Sequence, residues 1–204
     1  MTTDSLFAKL KHPNPHLREQ AMLEIAESRD ENTIPYLMSI LDEEDTTYRR
    51  AAVKILGVIG IDAVPLVVES LLHSDNVTVR GSAAKALAQI AFNYPDLPFP
   101  STGLQGLKAA INDPNPVVHI ASVMALGQMG SAAYSILVES LKTTENIAVQ
   151  VAIVNALASI GDPKCAEVLT TFANDESVDS YVRESAISAL SRLDLVINFD
   201  KSRR

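Results

Sequence analysis

Apolar residues recur along this chain at steps of three and four, in paired segments that repeat from end to end. The run Asp45-Thr-Thr-Tyr-Arg-Arg-Ala-Ala-Val-Lys-Ile-Leu-Gly-Val-Ile-Gly60 has recognisable copies throughout. Arg18, Arg49, Arg80, His119, Gln150 and Arg183 read as equivalent anchors, one per copy, at a near-constant spacing that lengthens once, between Arg80 and His119. Four residues before each anchor stands Asn14, Asp45, Asn76, Asn115, Asn146 or Asp179. Asn and Asp at that place predict an N-cap, because the side-chain oxygen accepts an orphan amide of the first helical turn. Pro15 and Pro116 follow two of these caps and suit the first helical position. Each cap therefore opens a helix of about 13 residues.

Before each cap lies a shorter apolar-periodic stretch, such as 33–41, 62–72, 103–111, 131–141 and 164–172. Gly57, Gly60, Gly127, Gly130 and Gly161 are expected where a second helix ends and the chain turns back. No segment alternates with period two for long enough to predict a strand. The expected fold is all-α: a HEAT-like α-solenoid of about six helical hairpins (an α-α superhelix), in which stacked neighbours supply the core that no single hairpin can bury. One domain is expected over 1–197, with a polar C-terminal tail over 198–204. The longer spacing is explained by a loop insertion at 93–100, Asn-Tyr-Pro-Asp-Leu-Pro-Phe-Pro, whose prolines forbid a continuous helix.

Helical geometry also separates the faces of the second helices. Positions just before the anchor, and seven and ten after it, are apolar and predict the core: Tyr48, Leu56, Ile59; Val79, Leu87, Ile90; Val118, Leu126, Met129. Positions one, five and nine after the anchor should point outward, onto the concave face. They read Glu19, Leu23, Glu27; Arg50, Lys54, Val58; Gly81, Lys85, Gln89; Ile120, Met124, Gln128; Val151, Asn155, Ser159; Glu184, Ser188, Arg192. Units two and three present cations, while units four and five present apolar groups. A ligand with an anionic end and an apolar body would suit such a stripe, as would a protein helix with an acidic side. The candidate ligand- or partner-binding residues are Arg50, Lys54, Lys85, Gln89, His119, Ile120, Met124, Gln128 and Asn155. The arginine anchors themselves are expected to reach carbonyls, or carboxylates of an adjacent unit's turn, as a structural ladder. His119 and Gln150 would then free two central units from it.

Composition narrows the chemistry. The chain has 204 residues. A domain of that size buries roughly 70% of the surface its unfolded chain exposes. With 17 Lys and Arg against 25 Asp and Glu, its net charge is −8, which argues against a nucleic-acid or anionic-membrane footprint. Tryptophan is absent and aromatics are 5%, so no base-stacking platform is expected. The uncharged stretch 116–138 is broken by Gly127 and Gly130 and reads as two buried helices, not a membrane span. The start lacks an apolar h-region, and the single cysteine, Cys165, excludes an internal disulfide, so a cytoplasmic location is expected. No catalytic constellation emerges. Cys165 has no histidine near it in sequence, and His12, His16, His73 and His119 lack metal-ligand spacing.

The Val-Arg-x-x-Ala…Ala-Leu-Gly-x-Ile-Gly pattern resembles the HEAT-like repeats of the cyanobacterial E/Z-type phycobilin-lyase family. Tyr48-Arg-Arg-Ala-Ala-Val-Lys54, Val79-Arg-Gly-Ser-Ala-Ala-Lys85 and Asn115-Pro-Val-Val-His-Ile-Ala-Ser-Val-Met-Ala-Leu126 carry the likeness, which extends over essentially the whole chain. The resemblance implies a binding scaffold, chaperone-like, that assists bilin attachment to cysteines of phycobiliproteins. Its implied partners are phycobiliprotein subunits and a longer lyase subunit. No cofactor would be held permanently, only a transient bilin, phycoerythrobilin or phycocyanobilin. Lyase activity of the C–S class would require the partner subunit, and the His-Cys pair of the isomerising members is missing. A similar cyanobacterial HEAT-repeat protein that grips an A-type iron–sulfur scaffold protein supplies the alternative.

Overall fold

A computed structural model describes residues 3–202, and among them every regular element is helical. Twelve helices follow one another: α1 Thr3–Lys9, α2 Pro15–Glu27, α3 Thr33–Ile40, α4 Thr46–Ile59, α5 Val64–His73, α6 Val77–Asn93, α7 Ser101–Ala110, α8 Pro116–Gln128, α9 Tyr134–Thr143, α10 Ile147–Ile160, α11 Cys165–Asn174 and α12 Ser180–Ser202. Consecutive helices pack as the hairpins that the repeat predicts: α1 with α2, α3 with α4, α5 with α6, α9 with α10 and α11 with α12.

Every expected cap closes. Asn14 accepts from the His16 amide at 2.9 Å, Asp45 from Thr47 at 2.8 Å and Asn76 from Thr78 at 2.8 Å. Asn115 accepts from Val117 at 3.0 Å, Asn146 from Ala148 at 3.0 Å and Asp179 from Tyr181 at 2.8 Å. Each satisfies a donor that the helix start would otherwise leave unpaired.

The contacts group the chain into two compact units, Met1–Gly106 and Leu107–Arg204. In the first, α4 packs between α2 and α6; in the second, α10 packs between α8 and α12. A repeat touches only its neighbours, so a chain of this kind has local cores and no single centre. The predicted core positions are buried: Tyr48, Leu56 and Ile59 on α4, Val79, Leu87 and Ile90 on α6, Val118, Leu126 and Met129 on α8. Leu87 is fully enclosed. Truncating such a residue to Ala costs roughly 2–5 kcal/mol.

Three sequence expectations are corrected. First, Gly57 and Gly127 do not end helices; they lie inside α4 and α8, where a side chain would meet Gln89 of α6 and Ala156 of α10. The turns belong to Gly60, Gly130 and Gly161, whose φ angles are 83°, 62° and 72°. Few L side chains adopt such angles. Second, Arg18, Arg49 and Arg80 reach back to carbonyls of the turn before their own helix. Arg18 Nη1 donates to the carbonyls of His12 (2.6 Å) and Pro13 (2.9 Å), and Arg80 Nη1 to those of Ser74 (2.9 Å) and Asp75 (3.3 Å). Arg49 does the same to Glu43 and Glu44. Each guanidinium thus staples the turn just before its own helix. Gln150 keeps that role, its Nε2 donating to Thr144 at 3.0 Å, so unit five is not freed. Third, α12 continues to Ser202 where a polar tail from Asn198 was expected; Arg203 and Arg204 lie outside the described residues.

The helix α6 takes Asn93, and the chain runs from Tyr94 to α7 without a regular element. It is tied down at its start. The Tyr94 hydroxyl donates to the Val58 carbonyl, and its ring covers Gly60. The uncharged stretch 116–138 is indeed split, into α8, a 3-10 turn at Gly130–Ala133 and α9. A second stretch, Thr46–His73, is apolar and long enough to cross a membrane by composition. Here it is α4 and α5 joined by a 3-10 turn at Gly60–Ala63, and 56% of its apolar window is buried in the fold.

Candidate functional site

Outward-facing positions on the even helices line a groove in each unit. The larger, about 390 Å³, runs between α8 and α10. Ile120, Met124 and Gln128 of α8 form one wall, and Val151, Asn155 and Ser159 of α10 the other. Its floor is made of small residues: Gly127, Ala148, Ala152 and Ala156. Spacing explains the walls, since residues four apart on one helix stand above one another. The floor has a different cause. Gly127 lets α8 come so close that an added Cβ would lie 3.2 Å from that of Ala156, leaving no side chain to fill the space above.

The α8–α10 groove is polarised along its length. Ile120, Met124, Ala148 and Val151 make the part nearer the helix starts apolar, and Met124 is 65% exposed. Gln128, Asn155 and Ser159 make the other end polar. No lining residue carries a charge. The Asn155 side-chain oxygen accepts from Arg192 Nη2 on α12, which brings a guanidinium to the polar end. Met at such a surface adapts its shape to a guest.

The smaller groove, about 200 Å³, crosses α2, α4 and α6. Glu19, Met22, Leu23, Lys54, Val58, Gln89 and Asn93 line it. Gln89 Nε2 donates to Asn93 Oδ1 at 3.0 Å, so these amides are held to each other.

The candidate residues divide accordingly. Ile120, Met124, Gln128 and Asn155 come together in the larger groove, and Lys54 and Gln89 in the smaller. Arg50 and Lys85 are exposed on the first unit and line neither. His119 is 8% exposed and lines neither groove; its Nε2 has no hydrogen-bond partner. The outward stripe lies about 100–180° around the helix from the anchor position, which is why that position turns inward. Sequence reading missed the floor. The signal was present in the small residues of units four and five, but which of them oppose one another depends on how the helices pack.

Cys165 is fully buried at the start of α11. Burial, and secondarily the Asp162 carboxylate, push its thiol up to about 11, away from the reactive thiolate. It is therefore neither an exposed attachment point nor a nucleophile.

The chain matches the HEAT-repeat family over residues 3–88 and 104–192. It is 55% identical over 202 residues to the phycocyanin operon protein Z of Pseudanabaena tenuis (strain PCC 7409), covering 99% of this chain and 100% of that protein. It is 31% identical over 178 residues to the bilin biosynthesis protein CpeZ of Synechococcus sp. (strain WH8020), covering 84% and 95%. Among solved structures, the complex of CpcE and CpcF of phycocyanin lyase from Nostoc sp. PCC7120 aligns with a TM-score of 0.50 at 20% identity, over 76% of this chain and 96% of that one. A designed armadillo-repeat protein in complex with a (KR)4 peptide aligns with a TM-score of 0.50 at 17% identity, over 95% and 100%. These structural likenesses are of fold alone. The repeats and the two sequence relatives agree on more: the chain belongs to the HEAT-repeat proteins and, within them, to the cyanobacterial E/Z-type phycobilin-lyase family that includes CpeZ.

Proposed function

We propose that this chain is a chaperone-like scaffold that holds a bilin, phycoerythrobilin or phycocyanobilin, while it is joined to a cysteine of a phycobiliprotein subunit. It acts in the cytoplasm with a longer lyase subunit. The observation that carries this reading is the α8–α10 groove: apolar over most of its length, polar at one end and lined between its walls by Gly and Ala. Its volume is about 390 Å³. Small-molecule sites usually span about 300–1,000 Å³. A flat tetrapyrrole lies against such a floor without displacing side chains.

The chemistry divides between scaffold and client. The buried thiol of Cys165 supports a reading in which a cysteine of the client protein is the nucleophile. The scaffold contributes by holding the reacting partners in register, which lowers the entropic part of the barrier. Arg50, Lys54 and Lys85 of the first unit offer cationic surface to the acidic faces of protein partners.

The test mixes the purified chain with phycoerythrobilin and apo-phycoerythrin subunits, with and without a longer lyase subunit. The expected result is more coloured, covalently linked adduct when both are present, and a loss of that gain when Val151→Trp fills the groove. No gain in adduct, nor in soluble apoprotein, would overturn the proposal.

A further inference from the structure

We propose that Arg192 is the specificity-determining contact of the α8–α10 groove, selecting ligands that carry a carboxylate at the end of an apolar body. This inference rests on the groove being a small-molecule site, as argued above, and adds the residue that orients the guest. No lining residue is charged, so the groove by itself gives an anionic group nothing to pair with. Arg192 changes that. Its Nη2 donates to the Asn155 side-chain oxygen, which fixes the guanidinium beside the polar end formed by Gln128, Asn155 and Ser159.

A guanidinium has five donors in a planar fork, and the bond to Asn155 engages one nitrogen. The remaining donors can take both oxygens of a carboxylate, an arrangement that is geometrically selective as well as strong. The Arg192 side chain is exposed, so a carboxylate reaches it directly from solvent. The apolar part nearer the helix starts then receives the body of the ligand along Ile120, Met124 and Val151. The groove thus has a direction, and Asn155 acts as a positioning residue for Arg192.

The experiment titrates the full chain with phycocyanobilin and with its dimethyl ester, followed by absorption, for the unaltered chain and for R192Q, R192K and V151W, with circular dichroism confirming the fold. The free acid should bind about 10- to 100-fold more tightly than the ester, the range expected for charge-assisted hydrogen bonds. R192Q should bring the acid to the level of the ester, with R192K intermediate because an ammonium lacks the fork. R192Q binding the acid as tightly as the unaltered chain, or equal binding of acid and ester, would overturn the role of Arg192 while V151W still abolished binding. No effect of V151W, or no binding of either form, would overturn the groove reading together with this inference. Protection of Met124 from oxidation by apo-phycobiliprotein, with no bilin bound, would assign the groove to a protein helix and overturn it too.

Discussion

Gly127 on α8 and Ala156 on α10 face each other so closely that a Cβ on the glycine would lie 3.2 Å from the alanine Cβ. That contact sets the separation of the two helices and, through it, the floor of the groove. Gly57 on α4 occupies the same place relative to its anchor, and a side chain there would collide with Gln89. The two glycines serve helix packing, while Gly60 and Gly130, next along the chain, serve the turns.

Substitution at Gly127 should divide by size. Ala in place of Gly gains about 1 kcal/mol of helix propensity. That gain offsets the tight approach to Ala156. G127A should therefore leave the midpoint of urea unfolding close to that of the unaltered chain. G127V should lose about 1–3 kcal/mol by overpacking. An unchanged midpoint for G127V would contradict the packing role.

Gly60 and Gly130 both have positive φ, but their surroundings differ. A Cβ on Gly130 would meet nothing, so G130A isolates the backbone penalty. For a left-handed residue that penalty is roughly 1–2 kcal/mol. A Cβ on Gly60 would also come within 2.8 Å of the Tyr94 ring. G60A should therefore destabilise more than G130A, and Y94A should narrow the difference. Thermal melts of the three single variants and the G60A/Y94A pair decide the point.

The staple made by the anchors should be transferable. Gln150 holds the Thr144 carbonyl with one hydrogen bond. Removing that bond with Q150L should cost about 0.5–1.5 kcal/mol. Q150R recreates the arrangement of Arg80, which reaches both carbonyls of its turn, and should be neutral or stabilising. Chemical denaturation of the two variants gives the ordering.

Cys165 predicts a response to alkali. Its folded thiol is raised to about 11 from an ordinary value of 9.0. The folded state therefore binds more protons than the unfolded state between those values. The stability it contributes is fully present below the ordinary value and is lost as pH rises toward 11. C165A should flatten that alkaline slope. In the same vein, the thiol is buried, so a thiol reagent in mild alkali should react only at the rate of unfolding. Fast labelling of the native chain would contradict the burial.

The helices and the starts of the second ones were legible in the sequence because their causes are local. The caps from Asn14 to Asp179 act within three residues, and the helical period alone sorts Leu56, Leu87 and Leu126 into the core. The outward stripe followed from the same period, which is why Ile120, Met124, Gln128 and Asn155 were found together. The direction of His119 was not legible from the recurrence of anchors, since that pattern says where a position repeats and not which neighbour covers it. Nor was the staple: that Arg49 bonds to the carbonyls of its own turn depends on where the preceding loop runs. What only the tertiary structure decided were distances between residues far apart in the chain, Gly127 against Ala156 and Arg192 against Asn155. Each pair brings together side chains from different hairpins, and their meeting is set by how closely two helices can pack.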